Sequence, residues 1–176
     1  MASKKLVEEY MLLANVHVAC FLREWVQDKT LLRVHEEVNQ TNQGVLEAFY
    51  KKLGVDVDTS SSLTFSKSIE ALQTSYPIKF SVVIKKFMTA LKAAKYMCIN
   101  DFADEFLRHY GLSFDLYTHF TSPIRRYADL LVHRLVTVCL EYKDQARKAI
   151  EHMDYSSYAD LCSEKSLNAR TASKEC

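Results

Sequence analysis

The amino-acid sequence predicts a mainly α fold with one or two short strands at most. Three Gly and two Pro occur among 176 residues, whereas all-β folds need many turns and place these residues there. Apolar residues make up 48% of the chain, which is enough for a hydrophobic core, and several segments repeat them at helical spacing. Because no Pro- or Gly-rich linker divides the chain, we treat residues 1–176 as one domain unit.

The first predicted element is a long amphipathic helix over residues 6–26, where apolar side chains recur at i, i+3 and i+4. The aromatic residues that this pattern assigns to the core are Tyr10, Phe21 and Trp25. His17 lies near the same face, and a lone His without partners at metal-ligand spacing packs more often than it binds metal. The polar residues 32–43 that follow predict a connector.

The middle of the chain predicts three further helices. A short helix over residues 45–53 should end at Gly54, because glycine adopts left-handed backbone without strain. After a turn rich in Ser and Asp, a second short helix is predicted over residues 65–72. Pro77 cannot continue a helix but fits a first turn, so it should introduce the third helix, over residues 78–96.

The last part of the chain predicts irregular segments and then helices. Residues 97–101 fit a short strand or a turn, residues 101–109 fit a short helix or a turn, and residues 116–120 look extended. Apolar periodicity then predicts helices over residues 124–142, 143–153 and 155–174.

Charge and cysteine usage narrow the possible functions. The net charge is +1, so a nucleic-acid site would have to be a local feature of the surface. No window approaches eighteen consecutive apolar residues, which argues against a membrane span. The five Cys show no zinc-site spacing, and the first residues contain no apolar leader. These features predict reduced thiols in an intracellular, cytoplasmic protein.

One run of residues, YTHFTSPIRRYADLLVHR at positions 117–134, carries the chemistry. Thr121 or Ser122 is a candidate N-cap, with Pro123 as the first residue of the helix. Backbone N–H groups at such a helix start bind anions. Arg125 and Arg126 would add bidentate contacts to a phosphate.

A second polar set follows on the predicted helix. Arg125, Asp129 and His133 are spaced at i, i+4 and i+8, so Asp129 should clamp Arg125 and accept a hydrogen bond from His133. His119 could supply a further donor before the helix. A solvated helix face would show the same pattern, because capping and i, i+4 pairs are ordinary features of helices.

The full run resembles HFTSPIRRYxDLxVHR, the motif of the ribonuclease II (RNB) family of 3′→5′ exoribonucleases. Four other stretches are similar to the family in the same order: LVEEYMLLANVHVA near the start, LLRVHEEV, RHYGL just before the run, and LCSEKSLNARTASKE at the end. The resemblance covers nearly the whole chain. It identifies the α-rich C-terminal half of the α+β RNB catalytic domain, with the eukaryotic exosome-independent branch as the closest group.

The resemblance implies a channel that binds single-stranded RNA and ends at a Mg²⁺ site. It implies a catalytic role for Arg125 at the phosphate near the scissile bond, supported by Ser122 and Arg126. Glu8 or Glu9 should contact ribose at the 3′ end, and a 2′-hydroxyl contact would favour RNA. The remaining implied RNA contacts are Asn15, Tyr117 and His119, and the supporting residues are Thr121, Asp129 and His133. Core packing is an equally good interpretation of Tyr117 and His119.

The four Asp residues that hold Mg²⁺ in the family have no match in this sequence. Asp56 and Asp58 lie in a Ser-rich turn, and Asp101, Asp104 and Glu105 fall in one short segment, whereas a hard-cation site needs converging carboxylates. We therefore predict no metal ligand in this chain and assign Mg²⁺ to the complete family enzyme. The family's OB-type RNA-binding domains are also missing from the sequence.

Three functions stay open from the sequence. The chain could be the RNA-binding portion of a processive exoribonuclease, or a catalytically inactive RNB-derived module that binds RNA or protein. A generic helical domain with chance similarity is the third. In the first two, the N-terminal half of the RNB domain or a partner protein should cover apolar surface that the helices would otherwise expose.

Overall fold

The computed structural model describes residues 2–59, 62–99 and 107–175. Within that part of the chain, seven helices and two short strands confirm the mainly α prediction. The helices are α1 (Ala2–Val26), α2 (Gln40–Leu53), α3 (Ser62–Ser75), α4 (Pro77–Ala90), α5 (Tyr127–Tyr142), α6 (Ala146–Ala149) and α7 (Tyr155–Glu175), and the strands are β1 (Leu31–Val34) and β2 (Lys95–Cys98). None of these helices is both long and apolar enough to cross a membrane.

The chain folds as two compact units. Unit 1 takes in α1, both strands and α5 to α7, whereas unit 2 takes in α2 to α4 and a single 3-10 turn, Tyr110–Leu112. The prediction that residues 1–176 form one part of a larger catalytic domain concerns the complete protein and stays a prediction.

Unit 1 is built around the antiparallel pair of β1 and β2, in which Leu31 lies opposite Cys98 and Val34 opposite Lys95. Helix α7 packs on β2, and α1 packs on α5. Leu22, Leu131 and other apolar side chains of these elements form one core, and each fully buried Leu contributes about 1.5–3 kcal/mol relative to an exposed one.

Strand β1 corrects one prediction, because residues 32–34 were expected to open a polar connector. All four residues of β1 are buried, so the strand lacks the alternation of polar and apolar residues by which a strand is recognised. Arg33 is among the buried residues. Its polarity made the segment look like a loop.

Helix α1 divides into an exposed half and a buried half. Its N-terminal half exposes Leu6, Val7, Tyr10 and Leu13. Tyr10 is 64% exposed, so its predicted core position is wrong, whereas Phe21 and Trp25 pack against the core of unit 1 as predicted. The ring of His17 is exposed as well, and its Nδ1 lies 2.8 Å from the backbone oxygen of Leu13.

Unit 2 has its own core, in which α4 packs on α2 and α3. The rings of Phe65 and Phe87 stack there with centroids 3.7 Å apart. Gly54 ends α2 in left-handed backbone with φ of 64°, and Pro77 occupies the first turn of α4, so both predictions are confirmed. Helix α4 ends at Ala90. Of the residues 91–96 that were predicted to extend it, 91–94 belong to neither a helix nor a strand, and 95–96 begin β2.

The C-terminal predictions are partly confirmed. The predicted helix over residues 155–174 is α7, but residues 143–153 contain only the 3-10 turn Lys143–Gln145 and the four residues of α6. Residues 117–120 belong to neither a helix nor a strand. The segment predicted over residues 101–109 lies mostly outside the described residues, together with Asp101, Asp104 and Glu105.

Candidate functional site

Helix α5 begins three residues later than predicted. It starts at Tyr127, and Arg126 occupies the N-cap position with extended backbone and no capping side chain. The predicted cap at Thr121 or Ser122 is therefore wrong, and Pro123 is not in the helix. Residues 123–125 form a turn, in which the Arg125 N–H donates to the Ser122 oxygen at 3.3 Å.

The carboxylate of Asp129 explains this turn. Asp129 is fully buried, and its Oδ1 accepts a hydrogen bond of 2.7 Å from the Ser122 N–H. Nε of Arg126 donates to Oδ2 at 2.7 Å, and Nη2 donates to Oδ1 at 2.8 Å. Because a buried carboxylate needs such donors, Asp129 draws the residues before α5 back onto its first turn. Asp129 thus clamps Arg126, not Arg125 as predicted.

Further hydrogen bonds fix the segment that leads into the turn. Nε2 of His133 donates to the Phe120 oxygen at 2.8 Å, and the two rings stack with centroids 4.1 Å apart. The predicted bond between His133 and Asp129 is therefore wrong. Asn15 accepts from the Phe120 N–H at 3.0 Å and donates to the Tyr117 hydroxyl at 2.9 Å. Thr118 donates to the Leu31 oxygen at 2.7 Å.

The turn forms one wall of a cavity of about 650 Å³ in unit 1. Five cationic side chains line this cavity: Arg33 from β1, Arg125 from the turn, Arg126 from the N-cap of α5, and Lys165 and Arg170 from α7. Among the described residues, no carboxylate lines it. We call it the basic cavity.

The five cations differ in what they contact. Arg126 is paired with Asp129. Arg125, Lys165 and Arg170 are exposed, and none of the three has an ion-pair partner among the described residues. Their donors are therefore available to an anion that enters the basic cavity.

Arg33 is the cation that the sequence did not single out. It is 5% exposed, and its guanidinium carbon lies 4.4 Å from the centroid of the Tyr96 ring. Its Nη1 has no hydrogen-bond partner in the described structure. Burial lowers the pKa of Arg33; Tyr96 opposes this shift, whereas Arg170 and Arg126 add to it.

His119 lies between the turn and the strands. Its Nδ1 is 2.8 Å from the hydroxyl oxygen of Tyr96. Burial, followed by the nearby Arg126 and Arg33, lowers the pKa of His119 to about 3. Its ring is therefore neutral at physiological pH, and the additional donor that we predicted here would be an uncharged one.

The predicted RNA contacts fall into two groups. Arg125, Arg126 and His119 line the basic cavity. The other predicted contacts lie away from its lining: Glu8, Glu9, Asn15, Tyr117 and Ser122. Glu8 and Glu9 project from the exposed half of α1, whereas Asn15 and Tyr117 are buried and bonded to each other. Thr121 is half-buried in the same segment.

The described residues do not provide ligands that fit a Mg²⁺ ion. They contain no group of three or more His, Cys, Asp or Glu side chains placed to share a metal. Asp56 and Asp58 belong to unit 2, and Asp129, the carboxylate that pairs with Arg126 of the cavity lining, already accepts three hydrogen bonds. We therefore assign no chemical step through a metal to these residues.

Comparisons with known proteins agree with this geometry. A family model described as the RNB domain matches residues 1–142. "DIS3-like exonuclease 2" of Schizosaccharomyces pombe is 34% identical over 172 residues, which cover 97% of this chain and 18% of that protein. "Inactive exonuclease DIS3L2" of Arabidopsis thaliana is 35% identical over 158 residues, or 85% of this chain and 15% of that protein. The chain thus spans less than a fifth of the length of these relatives.

The fold is also similar to a solved structure, Mycoplasma genitalium RNase R in complex with ribose-methylated single-stranded RNA. The TM-score is 0.80 at 23% sequence identity, and the match covers 98% of this chain and 27% of the other. At this level of identity the similarity concerns the fold.

Proposed function

This chain belongs to the RNB-domain family, and from that membership we propose that it is the RNA-binding C-terminal portion of a 3′→5′ exoribonuclease. The proposed substrate is single-stranded RNA, which the complete enzyme would hydrolyse processively with Mg²⁺ in the cytoplasm. The observation that carries the proposal is the basic cavity, where five cations meet with no carboxylate in the described lining.

The chemistry of this cavity suits an RNA backbone. Each phosphodiester carries one negative charge, and neutralising phosphates with Lys or Arg supplies most of the sequence-independent affinity. Guanidinium groups add geometry, because each can donate two parallel hydrogen bonds to one phosphate. A locally basic cavity in a chain of net charge +1 is the kind of site that the overall charge cannot reveal.

Within this proposal Arg125 and Arg126 have different roles. Arg125 is exposed and unpaired, so its whole guanidinium is available to the phosphate near the scissile bond. Asp129 takes two of the N–H donors of Arg126, which holds its guanidinium in one orientation at the lining of the cavity. The peptide N–H of Ser122 is used by Asp129 as well, so Ser122 would support the turn, while its hydroxyl could still reach RNA.

Hydrolysis would need more than these residues. Bound Mg²⁺ would polarise the phosphate and position the attacking water. We propose that its ligands come from the N-terminal half of the RNB domain in the complete enzyme. The same half, or a partner protein, would cover the apolar side chains that α1 exposes. Glu8 and Glu9 lie on the exposed N-terminal half of α1. In the complete enzyme we propose that they lie beside the 3′ end of the RNA.

The alternative is a catalytically inactive RNB-derived module that binds RNA or protein. One observation favours it: a relative that is 35% identical to this chain carries the word "inactive" in its name. An exoribonuclease and an inactive RNA-binding module would both use the basic cavity. RNA binding therefore tests what they share, and activity in a chimera separates them.

RNA binding is tested by filter binding of a short radiolabelled single strand over a range of salt concentrations. Arg125→Ala should weaken binding about tenfold, the effect of losing one charge-assisted hydrogen-bonded contact. It should also lower the slope of log affinity against log salt by about 0.7, the value per phosphate on a single strand. Lys148→Ala is the matched control, because Lys148 is an exposed cation of unit 1 outside the cavity. Equal effects of the two substitutions would refute the phosphate-binding role of Arg125.

Catalytic competence is tested in a chimera, in which this chain replaces the matching segment of the fission yeast DIS3-like exonuclease 2. We expect the chimera to degrade single-stranded RNA with Mg²⁺, and Arg125→Ala in the chimera to lower kcat. A chimera that folds and binds RNA but does not degrade it would favour the inactive module.

A further inference from the structure

Arg33 has properties that a general RNA-binding surface does not require. Phosphate contacts along a flexible strand are made well by exposed cations such as Arg125, Lys165 and Arg170. Arg33 is instead 5% exposed, and its guanidinium carbon lies over the Tyr96 ring. Among the described residues no carboxylate pairs with it, and its Nη1 has no hydrogen-bond partner.

A buried guanidinium of this kind is unfavourable in the absence of an anion. Taking a charge out of water costs free energy, which opposite charge or hydrogen bonds offset. The Tyr96 ring offsets part of that cost, since a cation over an aromatic face is attracted to it. Arg126 and Arg170 act in the opposite direction, because their positive charges oppose that of Arg33.

We propose that Arg33, Arg126 and Arg170 form a subsite of the basic cavity that binds the dianion of a phosphomonoester. This inference rests on the proposed function, because it assigns a part of the same cavity. Three guanidinium groups around one space match a group with three terminal oxygens and about two negative charges, which is a phosphomonoester at neutral pH. A phosphodiester offers two such oxygens and one charge.

The subsite would therefore bind a single nucleotide without the rest of a strand. Ala128, Leu161 and Tyr127 line the same cavity and provide apolar and aromatic surface for a base or sugar. A terminal phosphate of an RNA chain has the same chemistry as a free nucleotide, so both sources are compatible with the subsite, and the probes below separate them.

The test uses ³¹P NMR titration of uridine 5′-monophosphate and thermal unfolding by circular dichroism. Wild-type protein should broaden or shift the phosphorus resonance, and its Tm should rise by a few degrees in saturating nucleotide. Uridine at the same concentration should have no effect. RNA strands with and without a terminal phosphate form a second arm, in which tighter binding of the phosphorylated strand identifies the RNA end as the source. Nucleotide binding without that difference identifies the free nucleotide.

Arg33→Met is the decisive variant, because it keeps an unbranched, flexible side chain beside Tyr96 and removes the charge. We expect nucleotide affinity to fall at least tenfold while the ligand-free Tm stays equal to that of wild type or rises. A purely structural Arg33 would give the reverse: a lower ligand-free Tm and an unchanged nucleotide shift. Arg170→Gln covers the case in which Arg33→Met does not fold, since Arg170 is exposed on α7.

The outcomes separate the subsite from the proposed function. Loss of nucleotide binding in Arg33→Met or Arg170→Gln, but not in Lys148→Ala, supports the subsite. No binding of nucleotide by wild type, or equal binding by uridine, overturns it. If wild type binds the RNA strand in a way that depends on Arg125, the proposed function stands even when the subsite is overturned. If wild type does not bind the strand, the proposed function is refuted, and the nucleotide data then test the subsite alone.

Discussion

Two walls of the basic cavity present arginines in opposite ways. On the wall formed by the turn and the start of α5, Arg126 is neutralised by a fully buried carboxylate that also fixes the turn. On the wall formed by β1 and β2, Arg33 rests on Tyr96 with no carboxylate beside it among the described residues. In the first arrangement the positive charge already has a partner within the chain. In the second, Nη1 of the guanidinium has no partner among the described residues, and an anion that enters the cavity would supply one.

The largest expected effect tests the neutralised wall. Asp129→Asn keeps the shape of the side chain but removes its charge, which leaves Arg126 unpaired and disturbs the bond to the Ser122 N–H. We expect the free energy of unfolding to fall by about 3 kcal/mol, as for other broken buried ion pairs. Urea denaturation followed by circular dichroism measures this loss.

The ion pair between Asp28 and Arg147 provides the control for that experiment, with 2.9 Å between Oδ1 and Nε. The Arg147 side chain is 56% exposed, and exposed pairs contribute about 0–1 kcal/mol. Asp28→Asn should therefore cost less than 1 kcal/mol. Losses of similar size in the two variants would show that the wall around Asp129 is not specially stabilised.

A smaller effect is expected from Asn15, which connects α1 to the same wall. Asn15→Ala leaves the Phe120 N–H and the Tyr117 hydroxyl without their partner, and an unsatisfied buried polar group costs about 1–3 kcal/mol. We expect a loss near 2 kcal/mol in urea denaturation. At temperatures where the variant stays folded, its RNA affinity should change little, since Asn15 is 3% exposed. A large loss of affinity in folded Asn15→Ala would restore the direct RNA contact that the sequence predicted.

The smallest effect concerns His119, which lies between the two walls. Its pKa of about 3 in the folded protein lies below the ordinary value of about 6.5, so the unfolded chain takes up a proton that the folded protein does not. Stability therefore falls as the pH drops from about 6.5 toward 3. Between pH 7 and pH 5, His119 should account for a loss of about 1–2 kcal/mol.

That contribution is the difference between wild type and His119→Asn, whose Oδ1 can replace Nδ1 as the partner of the Tyr96 hydroxyl. His17→Asn is the matched control on an exposed ring of the same unit. If wild type and His119→Asn lose the same stability at pH 5, the two walls do not hold His119 neutral.

The contrast between the walls also shows what could be predicted from sequence. Long periodic segments gave α1, α5 and α7 correctly as helices, and Gly54 and Pro77 marked the ends of two others through their local backbone preferences. The conformation of the turn before α5 could not be predicted in this way. Generic capping rules placed the start of α5 at Thr121 or Ser122. The buried carboxylate of Asp129 instead accepts a hydrogen bond from that segment, and the helix begins later in the chain.

Arg33 could not be predicted for a different reason. Its surroundings come from β2 and α7, which are far from it in the sequence, and β1 has no alternating pattern to identify it as a strand. The sequence resemblance included the segment around Arg33 but assigned no role to it. The sequence therefore identified residues such as Arg125 and Asp129 but not the partners that the fold gives them. It did not identify Arg33, whose neighbours are distant in the sequence.

The packing of Trp25 has a practical consequence for all of these experiments. It is the only tryptophan in the chain, and it lies 5.8 Å from the Phe21 ring, against the core of unit 1. Fluorescence excited selectively in tryptophan therefore comes from unit 1 alone, although both units contribute to the helical circular dichroism signal. Trp25 is therefore an intrinsic probe of unit 1, and both signals can be recorded during one denaturant titration. Coincident midpoints would mean that the two units unfold together. Separate midpoints would give the stability of each unit.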